Sequence, residues 1–184
     1  MTDGLSAFFD TCALYGSTLN DVLLWLAEGG AFRPLWSDGV MAELGRNLVE
    51  AGHAERLVDR RIGTMTAVFP DALVDGYEQL IDGMTCDPKD RHVLAAAVRA
   101  NAEVLVTFNL RDFPAASAVP YEIEVVHPDS FLLDQLDLHP RLTLDTLHRL
   151  VDIDDSPPVT MDDLLEMLVR SGVPRFVEEV RRFL

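Results

Sequence analysis

Residues 87–113 constrain the fold more than any other stretch of this chain. Asp87-Pro-Lys-Asp90 opens an alanine-rich apolar run, His92 to Ala100. A β-branched segment, Glu103-Val-Leu-Val-Thr-Phe108, follows at once, and another carboxylate, Asp112, stands just past it. An apolar helix that feeds a buried strand is the repeating unit of a parallel sheet with right-handed crossovers. Pro88 is well placed for the first turn of that helix, which the spacing runs to Ala100. Acids at the helix start and beyond the strand come to the same sheet edge, where open α/β folds place their ligands.

The rest of the chain supplies partners for this unit. Leu5–Phe9 reads as a short buried strand ending at Asp10, and Ile123–Val126 as another. Leu19, Val22, Leu23 and Leu26 recur at helical spacing between Thr18 and Glu28, ahead of Gly29-Gly30. After Arg33-Pro-Leu-Trp36, Ser37 is placed to cap a helix to about Ala51, with Val40, Leu44, Leu48 and Val49 on its apolar face. A further helix runs from Ala54 to Val68, and 71–84 mixes short strand and turn. From Pro128 the pattern turns helical, at Ser130–Leu136, Leu142–Val151, Met161–Ser171 and Arg175–Leu184, with a break expected at Asp152–Pro158. We therefore expect an α/β domain over residues 1–133 and a helical C-terminal extension over 134–184.

Composition narrows the function. The chain of 184 residues, 48% hydrophobic and 25% charged, suits a soluble globular protein. It has no apolar run of the roughly 20 residues a membrane helix needs, and its N-terminus lacks the features of a signal peptide. Two cysteines, Cys12 and Cys86, cannot make a disulfide framework and read as reduced, small buried residues of a cytoplasmic protein. The formal net charge of −16 is spread along the chain: nine Lys and Arg against twenty Asp and Glu in 1–133, six against eleven in 134–184. Such a balance argues against a broad nucleic-acid-binding face.

Four carboxylates occupy special positions. Asp10 closes the first strand, and Asp90 lies in the first turn of the Ala-rich helix. Asp112 follows the Val-Leu-Val-Thr strand. Glu43 stands inside the Ser37 helix, between Val40 and Leu44, on the face expected to turn towards the domain. Carboxylates that converge repel one another at reduced dielectric. Mg²⁺ or Mn²⁺ resolves the conflict, because such ions take oxygen ligands and favour phosphodiester hydrolysis. Taken singly, Asp87 and Asp90 read equally as helix caps, Asp112 as a turn residue and Glu43 as a solvated helix residue.

In Phe9-Asp10-Thr-Cys-Ala-Leu14, Ala42-Glu43-Leu, Asp87-Pro-Lys-Asp90-Arg-His-Val-Leu-Ala-Ala-Ala and Val-Thr107-Phe-Asn109-Leu-Arg-Asp112-Phe-Pro, the chain resembles the PIN-domain family. Within that family it is most similar to the VapC-like ribonuclease toxins of toxin–antitoxin modules. The resemblance covers roughly residues 5–130. It implies a three-layer α/β/α sandwich around a parallel sheet and a Mg²⁺- or Mn²⁺-dependent endoribonuclease. Asp10, Glu43, Asp90 and Asp112 would be its catalytic, metal-binding carboxylates, Asp87 a supporting acid, and Thr107 and Asn109 polar residues that hold a ligand or its water. It further implies an RNA substrate, a homodimer and a small antitoxin whose basic or Arg-bearing segment enters the acidic cleft. Arg46, Lys89, Arg91 and Arg111 lie near these motifs and are candidates for local phosphate contacts; pairing with surface acids is the alternative.

Two other readings compete. A haloacid-dehalogenase-like phosphatase also places an Asp after its first strand, but needs a second Asp two positions on, where this chain has Cys12. A catalytically inactive PIN-like domain serving as a protein-binding module would keep the fold without the chemistry. Neither a Gly-x-x-x-x-Gly-Lys loop nor a Gly-x-Gly-x-x-Gly fingerprint is present. His92 reads as a partly buried helix residue, and Leu164, Leu168, Phe176 and Phe183 as apolar positions for self-association or for packing within the chain.

Overall fold

The computed structural model describes residues 4–153 and 158–184. Residues 1–3, part of the N-terminal stretch read above, and residues 154–157, within the expected helix break, lie outside the described residues.

Five parallel strands form one sheet in the order β3-β2-β1-β4-β5: β1 is Ser6–Phe9, β2 Arg33–Ser37, β3 Leu73–Val74, β4 Val104–Val106 and β5 Glu124–Val126. The helices between the strands are α1 Thr11–Tyr15, α2 Ser17–Glu28, α3 Asp38–Glu50, α4 Glu55–Val68, α5 Arg91–Arg99 and α6 Ala115–Ala118. They make the expected three-layer α/β/α sandwich. After β5 come α7 Pro128–Leu138, α8 Pro140–Ile153, α9 Met161–Arg170 and α10 Pro174–Phe183.

Strand order decides where a ligand can sit. The chain moves outward from β1 to β2 and β3, then returns to the other side of β1 to lay down β4 and β5. The carboxyl ends of β1 and β4 therefore flank the topological switch point. The register pairs Phe9 with Val106, so the next residues, Asp10 and Thr107, emerge side by side.

Local chemistry explains most elements. Ser37 Oγ accepts the Val40 N–H and caps α3, as its position in the sequence requires. The sequence reading missed the short helices α1 and α6, and it missed strand β2 because Pro34 lies within it. The structure shows why proline is tolerated: the Arg33 N–H donates to Leu5 on the β1 side, so the Pro34 nitrogen faces the β3 side, where pairing begins at Trp36. The packed interior includes Phe9 of β1, Phe32 before β2 and Phe131 of α7, with ring centroids 4.9–5.7 Å apart. Burying a ring of this size contributes about 1.5–3 kcal/mol, so α7 is fixed firmly to the sheet.

The extension packs within the chain. Leu164, Leu168 and Phe176 are buried, whereas Phe183 stays exposed. The Asp129 carboxylate of α7 accepts the N–H groups of Arg175 (3.2 Å) and Phe176 (2.8 Å) at the start of α10. No helix among the described residues is long and apolar enough to cross a membrane.

Candidate active site

Asp10 is held at the switch point from three directions. Its backbone N–H donates to the Val106 carbonyl (3.1 Å), continuing the β1–β4 pairing. Oδ1 accepts the Thr11 N–H at 2.7 Å and caps α1, while Oδ2 accepts the Thr107 hydroxyl at 2.7 Å. The side chain is nevertheless buried, only 4% exposed. Thr107 is anchored in turn: its N–H donates to Val126, and its Oγ accepts the Asn109 N–H at 3.0 Å.

Cys12 belongs to the same network. Its thiol lies 3.2 Å from Asp10 Oδ2 and 3.3 Å from Thr107 Oγ1, and its sulfur accepts the Phe108 N–H. Burial and the neighbouring Asp10 charge push the thiol up to about 11, so it is a neutral donor at physiological pH. The expectation that Cys12 is a plain buried residue is corrected here: it is a half-buried partner of the central carboxylate. Cys86 is buried, as expected, and both thiols are free.

Asp87 and Asp90 part company. The chain turns through a short 3-10 segment at Pro88–Asp90, and α5 starts only at Arg91. Asp90 therefore precedes the helix instead of lying in its first turn. Asp87 takes the capping role, its carboxylate accepting the Lys89 N–H at 3.1 Å. Asp90 makes no such cap. Its Oδ2 is buried without a hydrogen-bond partner. Lys89 Nζ approaches that oxygen to 3.8 Å, close enough for charge attraction but too long for a hydrogen bond. Desolvation first, and then the charge of Asp10, raise the Asp90 carboxyl to about 6.

Asp10, Glu43, Lys89, Asp90 and Asn109 line one cleft of about 300 Å³, together with Thr11, Cys12, Tyr15 and Asn47. Asp112 stands beside it in the turn Leu110–Asp112 and reaches it through Lys89, whose Nζ is 3.1 Å from Asp112 Oδ2. The contact with Asp112, strengthened by Asp90, raises the Lys89 ammonium above its usual range. The Asp87 N–H donates to the Asp112 carbonyl at 2.9 Å, tying the two acidic turns together. Glu43 enters from α3, and its Oε2 lies 3.7 Å from His92 Nε2 on α5. Gly39 makes that approach possible, since a Cβ there would stand 3.0 Å from Tyr77 Oη and 3.1 Å from His92 Nδ1.

Of the four basic candidates, Lys89 alone lines the cleft; Arg46, Arg91 and Arg111 do not. Sequence reasoning missed Asn47 and Tyr15. Asn47 had a usable signal, because it lies one helical turn from Glu43 on the same face of α3.

Among the described residues, no group of three or more His, Cys, Asp or Glu side chains is arranged to hold a metal ion as it stands. The donor chemistry still fits a hard divalent cation. Mg²⁺ needs only one or two carboxylates and keeps several waters, and Asp90 Oδ2 is a buried anionic oxygen with no hydrogen bond.

Comparison with known proteins gives the family. A PIN-domain model matches residues 6–111, and a model described as the VapC50 C-terminal domain matches residues 128–182. The chain belongs to the PIN-domain family. It is 49% identical over 111 residues to "Putative ribonuclease VapC50" of Mycobacterium tuberculosis (strain ATCC 25618 / H37Rv), a stretch covering 60% of this chain and 65% of that protein. The match thus spans just under two thirds of that relative's length. No solved structure matches.

Proposed function

We propose that this chain is a Mg²⁺- or Mn²⁺-dependent endoribonuclease, the VapC-like toxin of a toxin–antitoxin pair, with its nuclease unit in residues 1–133. The observation that carries the reading is Asp90: a buried carboxylate oxygen without a hydrogen bond, sharing a cleft with Asp10 at the switch point. Asp10 and Asp90 would hold the ion, with Glu43 and Asp112 completing the acidic set from either side. When bound, such a cation supplies Lewis-acid stabilisation of phosphoryl oxygen charge and a more acidic water.

The chain's own residues do the rest. Thr107 and Cys12 orient Asp10 through hydrogen bonds, leaving its carboxylate little freedom. Asn109 and Asn47 line the cleft and offer amides that orient water or the RNA backbone. Asp87 supports the loop through its cap on Lys89. Lys89 is placed to meet phosphate at the cleft wall, and Arg46, Arg91 and Arg111 are proposed as contacts further along the strand. The relative's name, a ribonuclease, supports RNA as the substrate.

The net charge of −16 favours capture by a basic or Arg-bearing segment of a small antitoxin. A homodimer and a cytoplasmic location belong to the same proposal. The test is RNA cleavage with Mg²⁺ or Mn²⁺ by wild type, Asp10→Asn and Asp90→Asn. Each variant should lose about a hundredfold or more in rate, corresponding to about 3 kcal/mol or more of transition-state stabilisation. If all three cleave alike, the nuclease reading fails.

A further inference from the structure

Phe108 stands between Thr107 and Asn109, and it touches two parts of the molecule at once. Its backbone N–H donates to Cys12 Sγ in the acidic cleft, at 3.3 Å. Its ring meets the start of α7 and the turn between α9 and α10 instead. It packs edge-on against His127 at the start of α7, with centroids 4.8 Å apart and planes at 88°. It also lies against Gly172, in the turn between α9 and α10, where a Cβ would come within 2.9 Å of the ring.

Those contacts are firmly backed. His127 Nδ1 accepts the Asp129 N–H, and the buried Asp129 carboxylate accepts the first N–H groups of α10. The turn carrying Gly172 therefore cannot drift from Phe108 without breaking buried hydrogen bonds, which are costly to leave unmade. On the other side, the Thr107 N–H is tied to Val126, immediately before His127.

We propose that Phe108 is a positioning residue through which the C-terminal extension sets the geometry of the acidic cleft. The extension presses on the ring, the ring fixes the backbone of residues 107–109, and that backbone places the Thr107 hydroxyl on Asp10 and the Asn109 amide at the cleft. The extension is then a working part of the site. This rests on the nuclease reading for its meaning, but one of its readouts does not. An ordinary packing role for Phe108 would instead lower stability and leave the folded cleft unchanged.

Matched glycines make the test. Gly172 and Gly52 have φ of +91° and +93°, but a Cβ on Gly52 meets nothing within 4 Å. Gly172→Ala and Gly52→Ala therefore carry similar backbone strain, and only the first pushes on Phe108. In the full chain, two readouts are followed. One is the maleimide labelling rate of Cys12, with buried Cys86 as the internal reference; the other is kcat and KM for RNA cleavage.

Gly172→Ala and Phe108→Ala should speed Cys12 labelling by at least about threefold through local loosening. They should lower kcat by about tenfold with KM within about twofold, as expected for misplaced catalytic groups. Gly52→Ala should do neither at a similar loss of Tm. In the Phe108→Ala background, Gly172→Ala should add nothing further. Where Gly172→Ala does not fold, Phe108→Leu replaces it, with smaller changes of the same kind expected. Equal behaviour of the two glycine variants, an additive double variant, or a Phe108→Leu chain indistinguishable from wild type would overturn the proposal. A wild type that cuts no RNA would remove the nuclease reading, while the labelling rates would still decide whether the extension controls the cleft.

Discussion

The two ends of the parallel sheet both carry clefts, and they differ in what they leave unmet. The amino end opens into the larger one, about 690 Å³, lined by Ser6, Phe32, Arg33, Phe69 and Glu103 among others. Its polar pair, Ser6 and Glu103, is mutually satisfied. Glu103 Oε2 accepts the Ser6 N–H (2.9 Å) and hydroxyl (3.1 Å), and the Glu103 N–H donates to Ser6 Oγ. The carboxyl end has less than half the volume, about 300 Å³, but gathers Asp10, Glu43 and Asp90, with Asp112 held beside them by Lys89. There Asp90 keeps a buried oxygen without a hydrogen bond. A buried carboxylate oxygen without a hydrogen bond, more than cleft size, is what the proposed site rests on.

The largest expected effect breaks this comparison directly. Asp90→Asn at the carboxyl end should cut RNA cleavage to about one per cent of the wild-type rate or less. Glu103→Gln at the amino end should leave the rate within about twofold and cost about 1 kcal/mol of stability, because its hydrogen bonds are structural. A Glu103→Gln enzyme as impaired as Asp90→Asn would erase the distinction.

The pH dependence of stability should sharpen it. The Asp90 carboxyl is raised to about 6 from an ordinary 3.8, so the folded chain binds a proton more tightly than the unfolded chain. In metal-free buffer this group therefore lowers stability as pH rises from about 4 to about 6, and the loss persists above that window. Asp90→Asn cannot ionise. It should be more stable than wild type at pH 7 and lose that advantage by about pH 4, as read from Tm across the range. A constant Tm difference would mean that burial of the Asp90 charge carries no such cost.

The smallest effects come from the two hydroxyls that hold carboxylates at opposite ends. Thr107→Val and Ser6→Ala should each cost about 1 kcal/mol in denaturant melts. Only Thr107→Val should also slow cleavage, by about tenfold, because its partner Asp10 is in the acidic cleft. Equal rates for the two variants would argue that the bond to Asp10 is structural alone.

Much of this was legible in the sequence, and the gaps have physical causes. The helix-to-strand unit ahead of Asp112 carried the parallel sheet, since apolar periodicity reports burial directly. Ser37 announced its cap. Strand β2 was hidden by Pro34, whose cost depends on how far β3 reaches along it, a tertiary fact. Asp10, Glu43 and Asp90 could be singled out by context, and the structure brings them to one cleft. Sequence could not separate Asp87 from Asp90, because each stands where a cap is wanted; a 3-10 turn gives the cap to one and leaves the other bare. The facing of His92 and Glu43, and the contact of Phe108 with Gly172, join residues far apart in the chain and leave no local pattern.

Mn²⁺ titration of the full chain, followed by calorimetry or by the loss of free-ion EPR signal, tests the central claim most directly. Wild type and Glu103→Gln should bind Mn²⁺ with equal affinity, and Asp90→Asn should bind at least about tenfold more weakly. Undiminished binding by Asp90→Asn would contradict the claim that the buried Asp90 oxygen without a hydrogen bond is what draws the cation.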